Sequence, residues 1–146
     1  MDKIDRQIIE ILHKDARISL RELGEAVHLS ANTVGERIKR LQQQGVISGY
    51  HAALDLQALG LPLQAMIDVK LARHTLAQEF EAAILTIPGI LEASLVTGSY
   101  DYLLRVACVD QGGLMRIIET LRTRAGAQDT YSRVILRHTQ LRNPLQ

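Results

Sequence analysis

The stretch SLRELGEAVHLSANTVGERIKRLQQQG, residues 19–45, contains two helical patterns separated only by the short break His28-Leu29-Ser30. The first begins at Ser19, with Glu22 three residues on. That spacing forms a capping box, in which each side chain accepts from a backbone N–H that the helix start leaves unpaired. Leu20, Leu23 and Val27 follow as its apolar stripe. The second pattern starts after Ser30, a good N-cap, and repeats Val34, Ile38 and Leu41 before Gly45 stops it. Upstream, Ile4, Ile8, Ile11 and Leu12 recur at helical spacing after Asp2. Three short helices, the last two joined by a tight turn, predict a helix-turn-helix.

In that motif the later helix enters the DNA major groove and its first residues reach base edges. Asn32 and Thr33 lie near its start, followed by Arg37, Lys39 and Arg40. Asn pairs bidentately with adenine and Arg with guanine, while Lys and Arg also neutralise phosphates. The chain's net charge is only +1, so no polyanionic partner follows from bulk charge. Residues 30–45, however, hold three basic residues against Glu36, which leaves 14 basic and 15 acidic residues elsewhere. An ordinary solvated helix face is the competing reading of three cations alone; the capped three-helix setting favours double-stranded DNA.

Beyond Gly45 the periodicity changes. VISGYHAAL (46–54) reads as a strand with an irregularity at Gly49, and DLQALGLP (55–62) as a linker turn. From residue 62 the order is strand, helix, strand, strand, helix, strand. LQAMIDVKLA is the first strand. Leu76, Phe80, Ala83, Ile84 and Ile87 stripe a helix over 75–87 that Pro88 and Gly89 stop. ILEASLV and YDYLLRVACV flank a Thr-Gly-Ser turn. Leu114, Ile117, Ile118 and Leu121 mark a helix, DTYSRVILRHT a last strand, and QLRNPLQ a tail. The fold class is therefore α+β: a winged helix-turn-helix over 1–50, a linker strand and turn over 51–61, and a ferredoxin-like βαββαβ domain over 62–146. Two helices cover one face of such a sheet. Leu103 and Leu104, or Val134 and Ile135, cannot both point at them, so the other face is expected to be apolar and covered by a second copy, giving a dimer at least.

Composition sets the remaining bounds. Of 146 residues, 47% are apolar and 23% charged, as in ordinary globular proteins, and with 3% aromatics and no Trp the core must be aliphatic. Cys108 stands alone in an apolar run, which excludes an internal disulfide and suits a buried thiol. No signal peptide is visible, and the longest apolar window is broken by Pro88, Gly89 and Glu92, so a cytoplasmic, nucleoid-associated protein is expected. Neither the five histidines nor any other spacing suggests a metal pair. No glycine-rich phosphate loop, nucleophile elbow or acid pair is present, so an enzyme is not expected and no cofactor is called for.

LVTGSYDYLLRV (95–106) places Asp101 in an otherwise strand-like piece, where a carboxylate is costly unless it is partnered. Asp101 could bond its own loop amides or pair with Arg105. It could equally accept from the α-ammonium of an amino acid, whose carboxylate would meet the amides of Gly98, Ser99 and Tyr100. Gly98 would let the backbone approach such a ligand.

The first fifty residues resemble the DNA-binding domain of the Lrp/AsnC regulators. They carry an Asp-initiated first helix, D-x-R-I-S, L-S-x-x-T-V-x-x-R-I and L-x-x-x-G-V-I-x-x-Y; Gln42-Gln43-Gln44 stands where a Glu is usual. Gly98 to Leu104 resembles the G-x-x-D-x-x-L segment of the family's amino-acid-sensing (RAM) domain, so the likeness spans essentially the whole chain. It implies a transcriptional regulator, with Ser30, Asn32, Thr33, Arg37 and Arg40 on the DNA-facing surface and 46–54 pairing across a dimer. It also implies homodimers assembling further, often to octamers, with an amino-acid effector bound between dimers. Groups from a neighbouring subunit's last strand would complete that pocket, here Gln128, Thr130 and Ser132, the last standing where many relatives have Thr. A DNA-organising protein without a ligand is the alternative.

Overall fold

Each helix of the first unit starts on a side chain that accepts from its own first turn. In α1 (Lys3–Lys14), the Asp2 carboxylate accepts from the Asp5 N–H at 2.8 Å and Asp5 accepts from the Asp2 N–H at 3.0 Å. Ser19 and Glu22 make the same reciprocal box for α2 (Leu20–Val27), and Ser30 caps α3 (Ala31–Gln43) by accepting from Thr33. Gly45, in the left-handed region at φ 70°, carries the chain away from α3. The structure is a computed structural model describing residues 1–139, and these residues form two units, Met1–Ala53 and Leu54–Thr139.

The turn between α2 and α3 is tight enough to select its residues. A Cβ on Gly24 would lie 2.6 Å from the Leu29 carbonyl oxygen, whose own N–H donates to the Gly24 carbonyl at 2.9 Å. Only glycine permits that approach. Ile8, Leu23, Val27 and Val34 are buried where the three helices meet, with Ile4, Ile11, Leu12 and Ile38 around them. Leu20, expected in the stripe, is instead 46% exposed: as the first residue of α2 it has no preceding turn to pack under.

Residues 46–54 form no strand within the chain, and no two-stranded wing follows α3 among the described residues. A strand exists only against a partner strand; among the described residues this segment lies beside Ile9, Leu12 and His13 of α1 and Ala16 just after it, and pairs with no strand. Residues 55–60 make the expected turn, in which Asp55 accepts from the Gln57 and Ala58 N–H groups.

The second unit runs β1 (Leu63–Leu71), α4 (Ala77–Ile84), β2 (Ile90–Leu95), β3 (Tyr102–Cys108), α5 (Gln111–Arg124) and β4 (Ala127–Val134). The sheet order β2-β3-β1-β4 is fully antiparallel, the ferredoxin-like arrangement. Ala65, Ile67 and Val69 of β1 stand opposite Val106, Leu104 and Tyr102 of β3, all buried under the helices with Phe80, Ile117 and Leu121. The Tyr102 ring lies 4.7 Å from Phe80, and its hydroxyl donates to Glu81. That burial and the nearby carboxylate push the phenol up to about 12.

Helix α4 is shorter than expected. Leu76 is its N-cap and is 64% exposed, while Ile87 lies beyond its end yet is buried. β4 begins at Ala127 and ends at Val134, earlier at both ends than the sequence suggested, and the 140–146 tail lies outside the described residues.

The open face also departs from expectation. Leu104 points at the helices and Leu103 away, as the pleat requires. Yet around Leu103 and Met66 this face carries polar pairs rather than a continuous apolar surface. Arg133 donates to Asp68 at 2.6 Å, and Arg105 donates to Glu92 at 3.0 Å and Gln64 at 3.2 Å. Val134 stands opposite Ala65 on the helix side, half exposed at the sheet edge.

Candidate nucleic-acid interface and effector loop

Helix α3 presents one continuous polar surface, a groove lined by Thr33, Glu36, Arg37, Lys39, Arg40 and Gln43. Val34 and Leu41 anchor the opposite side of the helix in the core. Asn32 and Lys39 are exposed and make no side-chain hydrogen bond or ion pair among the described residues. Ser30 and Thr33 are partly committed: their hydroxyls lie 2.8 Å apart and Ser30 also takes the Thr33 N–H. Ser30 thus serves first as a cap.

The two arginines face α1. Arg37 donates through Nη1 to Asp2 at 2.7 Å and to Asp5 at 2.8 Å, and its side chain is only 21% exposed. Arg40 donates through Nη2 to both oxygens of Asp5 at 3.0 Å, with half of its side chain in solvent. Asp5 is the only buried charged residue among those described. Burial opposes its charge, but the Asp2 N–H, Arg37 and Arg40 outweigh that cost and hold its carboxyl below the ordinary range. Asp2 is drawn down to about 2, chiefly by the Asp5 N–H and then by Arg37. The sequence reading used Asp2 only to start the first helix and did not single out Asp5. The legible signal was the Asp-x-x-Asp spacing, a capping box that also aims two carboxylates at one place.

The second candidate site is the loop between β2 and β3. The Val96 N–H donates to the Asp101 carbonyl at 2.9 Å, closing the loop over residues 97–100. Gly98 sits at φ 113° with nothing near a would-be Cβ, so its backbone is open to approach. Gly98 and Ser99 are exposed, and Tyr100 is half-buried. Asp101 does not pair with Arg105. Its Oδ2 accepts from the Leu71 N–H at 2.8 Å and its Oδ1 from Lys70 Nζ at 3.3 Å, while its own N–H donates to the Val69 carbonyl. The Leu71 N–H, acting against partial burial and aided by Lys70, keeps the carboxyl ionised below its ordinary range. Each carboxylate oxygen retains acceptor capacity beyond these bonds. Lys70 is the residue that the sequence reading missed here; it lies near the end of a strand of ordinary alternation and carries no local signal.

Thr130 and Ser132 lie opposite Val69 and Ile67, so they belong to the helix side of the sheet, where Arg122 donates to the Thr130 hydroxyl at 3.2 Å. Gln128 is exposed beside the irregularity in the β1–β4 register. Because β3 and β4 flank β1 on opposite sides, Asp101 and these three residues do not meet within one chain. No group of potential metal ligands and no helix long and apolar enough to cross a membrane occurs among the described residues.

Comparison with known proteins agrees with this division. Residues 1–42 match the AsnC-type helix-turn-helix domain and residues 64–145 the Lrp/AsnC ligand binding domain. The chain is 36% identical to the leucine-responsive regulatory protein of Salmonella typhimurium, over 99% of this chain and 90% of that one. It is 36% identical to the transcriptional regulator AldR of Mycolicibacterium smegmatis, over 99% and 86%. Among solved structures, a Neisseria meningitidis transcriptional regulator in complex with L-Met superposes with a TM-score of 0.89 at 31% identity, covering 97% of this chain and 93% of that one. Bacillus subtilis LrpC gives 0.89 at 31%, covering 97% and 99%. These relatives are regulators rather than enzymes, and the chain belongs to the Lrp/AsnC family of transcriptional regulators.

Proposed function

We propose that this regulator binds specific double-stranded DNA through α3, with Asn32, Thr33, Lys39 and Arg40 as contacts and Ser30 and Arg37 holding the surface in shape. In this reading it works as a homodimer assembled into an octamer, and an amino acid held between dimers modulates it. The observation that carries the proposal is the loop at Gly98 to Asp101: a one-third-exposed carboxylate kept ionised at the end of the two central strands, beside an open glycine backbone. An ammonium needs the first and a carboxylate the amides of the second. The neighbouring structure that contains L-Met supports an amino acid as the ligand class. The separation of Asp101 from Gln128, Thr130 and Ser132 within one chain fits a pocket closed by a neighbouring subunit. The strandless 46–54 segment, with exposed Val46, Tyr50 and Leu54, fits pairing with a second copy.

An effector must prefer one assembly over another, or it changes nothing. The test is a thermal-shift screen of the full chain against all the proteinogenic amino acids, followed by sedimentation and operator binding with any hit. A stabilising amino acid that changes assembly or DNA affinity is the expected result. No shift with any amino acid, together with footprints that follow DNA shape rather than sequence, would favour a ligand-independent DNA-organising role.

A further inference from the structure

The carboxylate of Asp5 lies on a different helix from the DNA-reading surface and is 1% exposed, yet two guanidiniums of α3 converge on it. A buried carboxylate is tolerated only when fully partnered, and here each oxygen has two donors. Oδ1 takes Arg37 and Arg40; Oδ2 takes the Asp2 N–H and Arg40. The two arginines are not equivalent. Arg37 is shared between two aspartates and mostly enclosed. Arg40 gives Asp5 only its Nη2, while its Nη1 and Nε make no bond among the described residues and half of the side chain faces solvent.

We propose that Asp5 is a positioning residue for Arg40, fixing the guanidinium so that its remaining donors face DNA in one orientation, and thereby sets sequence discrimination more than affinity. Base edges are read by bidentate geometry, which a fixed fork supplies and a loose one does not. Phosphates respond mainly to charge. Two acidic residues also offset two of the helix's cations, which restrains attraction to arbitrary DNA. The inference rests on α3 being the DNA-reading helix.

The experiment uses the full-length chain, a duplex selected from a random pool by that chain, and a scrambled duplex of equal length, titrated over a range of salt. Asp5→Asn is expected to lower the specific-to-scrambled affinity ratio by about tenfold or more, the scale set by one good bidentate base contact. The same change is expected to tighten scrambled binding and steepen its salt dependence by about one phosphate's worth. Arg40→Lys, which keeps the charge without the fork, should lose the ratio with the salt slope unchanged. Asp5→Asn combined with Arg40→Ala should lose no more of the ratio than Arg40→Ala does alone.

A merely structural Asp5 would reduce binding to both duplexes alike and leave the ratio intact, and that result overturns the proposal. Independent, additive losses in the double variant overturn it too. If Asp5→Asn fails to fold by circular dichroism, Asp5→Glu retains the charge while displacing it, and an unchanged ratio there is equally fatal. A parent chain that selects no duplex at all removes the α3 reading itself, an outcome separate from a parent that selects normally with an unaffected Asp5 variant.

Discussion

Asp101 allows the structural and ligand-binding roles of one side chain to be separated. Replacing it with Ala removes the acceptor of the Leu71 N–H and the partner of Lys70. A bond from a backbone N–H to a charged oxygen at 2.8 Å contributes about 1.5–3 kcal/mol. The Lys70 pair, with both side chains a third to a half exposed, adds about 0–1 kcal/mol after solvent screening. The partial exposure of the site places the total near 2 kcal/mol, which in a unit of this size lowers its melting temperature by on the order of 10 °C. Asp101→Asn keeps an acceptor for Leu71 and should cost about 1 kcal/mol or less.

The same argument fixes a pH signature. The carboxyl is held below its ordinary value of 3.8, so its stabilisation is present above that pH and is lost as pH falls through the folded value. Differential scanning calorimetry from neutral pH downward should show the Ala variant missing this part of the acid limb. If that variant melts within about 1 °C of the parent with the same acid limb, the structural role is refuted. If the Asn variant, folded but without the charge, still shows the parent's full shift with an amino acid, the ammonium-binding role is refuted instead.

Three further outcomes follow from the packing. Gly24→Ala forces a Cβ to within 2.6 Å of the Leu29 oxygen and should cost about 1–3 kcal/mol, seen as a lower thermal midpoint with weakened DNA binding; a neutral result would mean the turn is not tight in solution. Leu104→Ala, at a fully buried position under both helices, should cost about 2–5 kcal/mol in denaturant unfolding, whereas a loss under about 1 kcal/mol would place Leu104 outside the core. Asp2 and Asp5 both titrate below the ordinary range, so the helical unit's stability from them is present above pH 3.8 and fades as pH falls through their lowered values, about 2 for Asp2. Circular dichroism should show Asp5→Asn lacking Asp5's part of that fade; an identical acid transition would refute the Arg37–Arg40 network.

Much of the fold was legible because its signals are local. The capping box at Ser19, the N-cap at Ser30, glycine at 45 and two distinct hydrophobic periods specify elements within a few residues of themselves. Misreadings fell at element ends, where Leu20 and Leu76 carry the right spacing but lie at a helix start with too little around them to bury them. The 46–54 segment has strand composition, but composition does not supply a partner.

The site was legible as residue types on faces, not as a set of bonds. By itself the sequence determined the order of elements apart from the strand expected over 46–54, the helix-turn-helix with Asn32, Thr33 and three cations on its second helix, and the Gly98 to Asp101 loop between two strands. Only the tertiary structure decided that Asp101 holds Leu71 and Lys70 rather than Arg105, and that Arg37 and Arg40 close on Asp5 from more than thirty residues away. The reason is physical. Capping and amphipathic spacing act over one or two turns of chain, whereas a buried carboxylate is partnered by whatever packing brings near, and no local pattern encodes that partner.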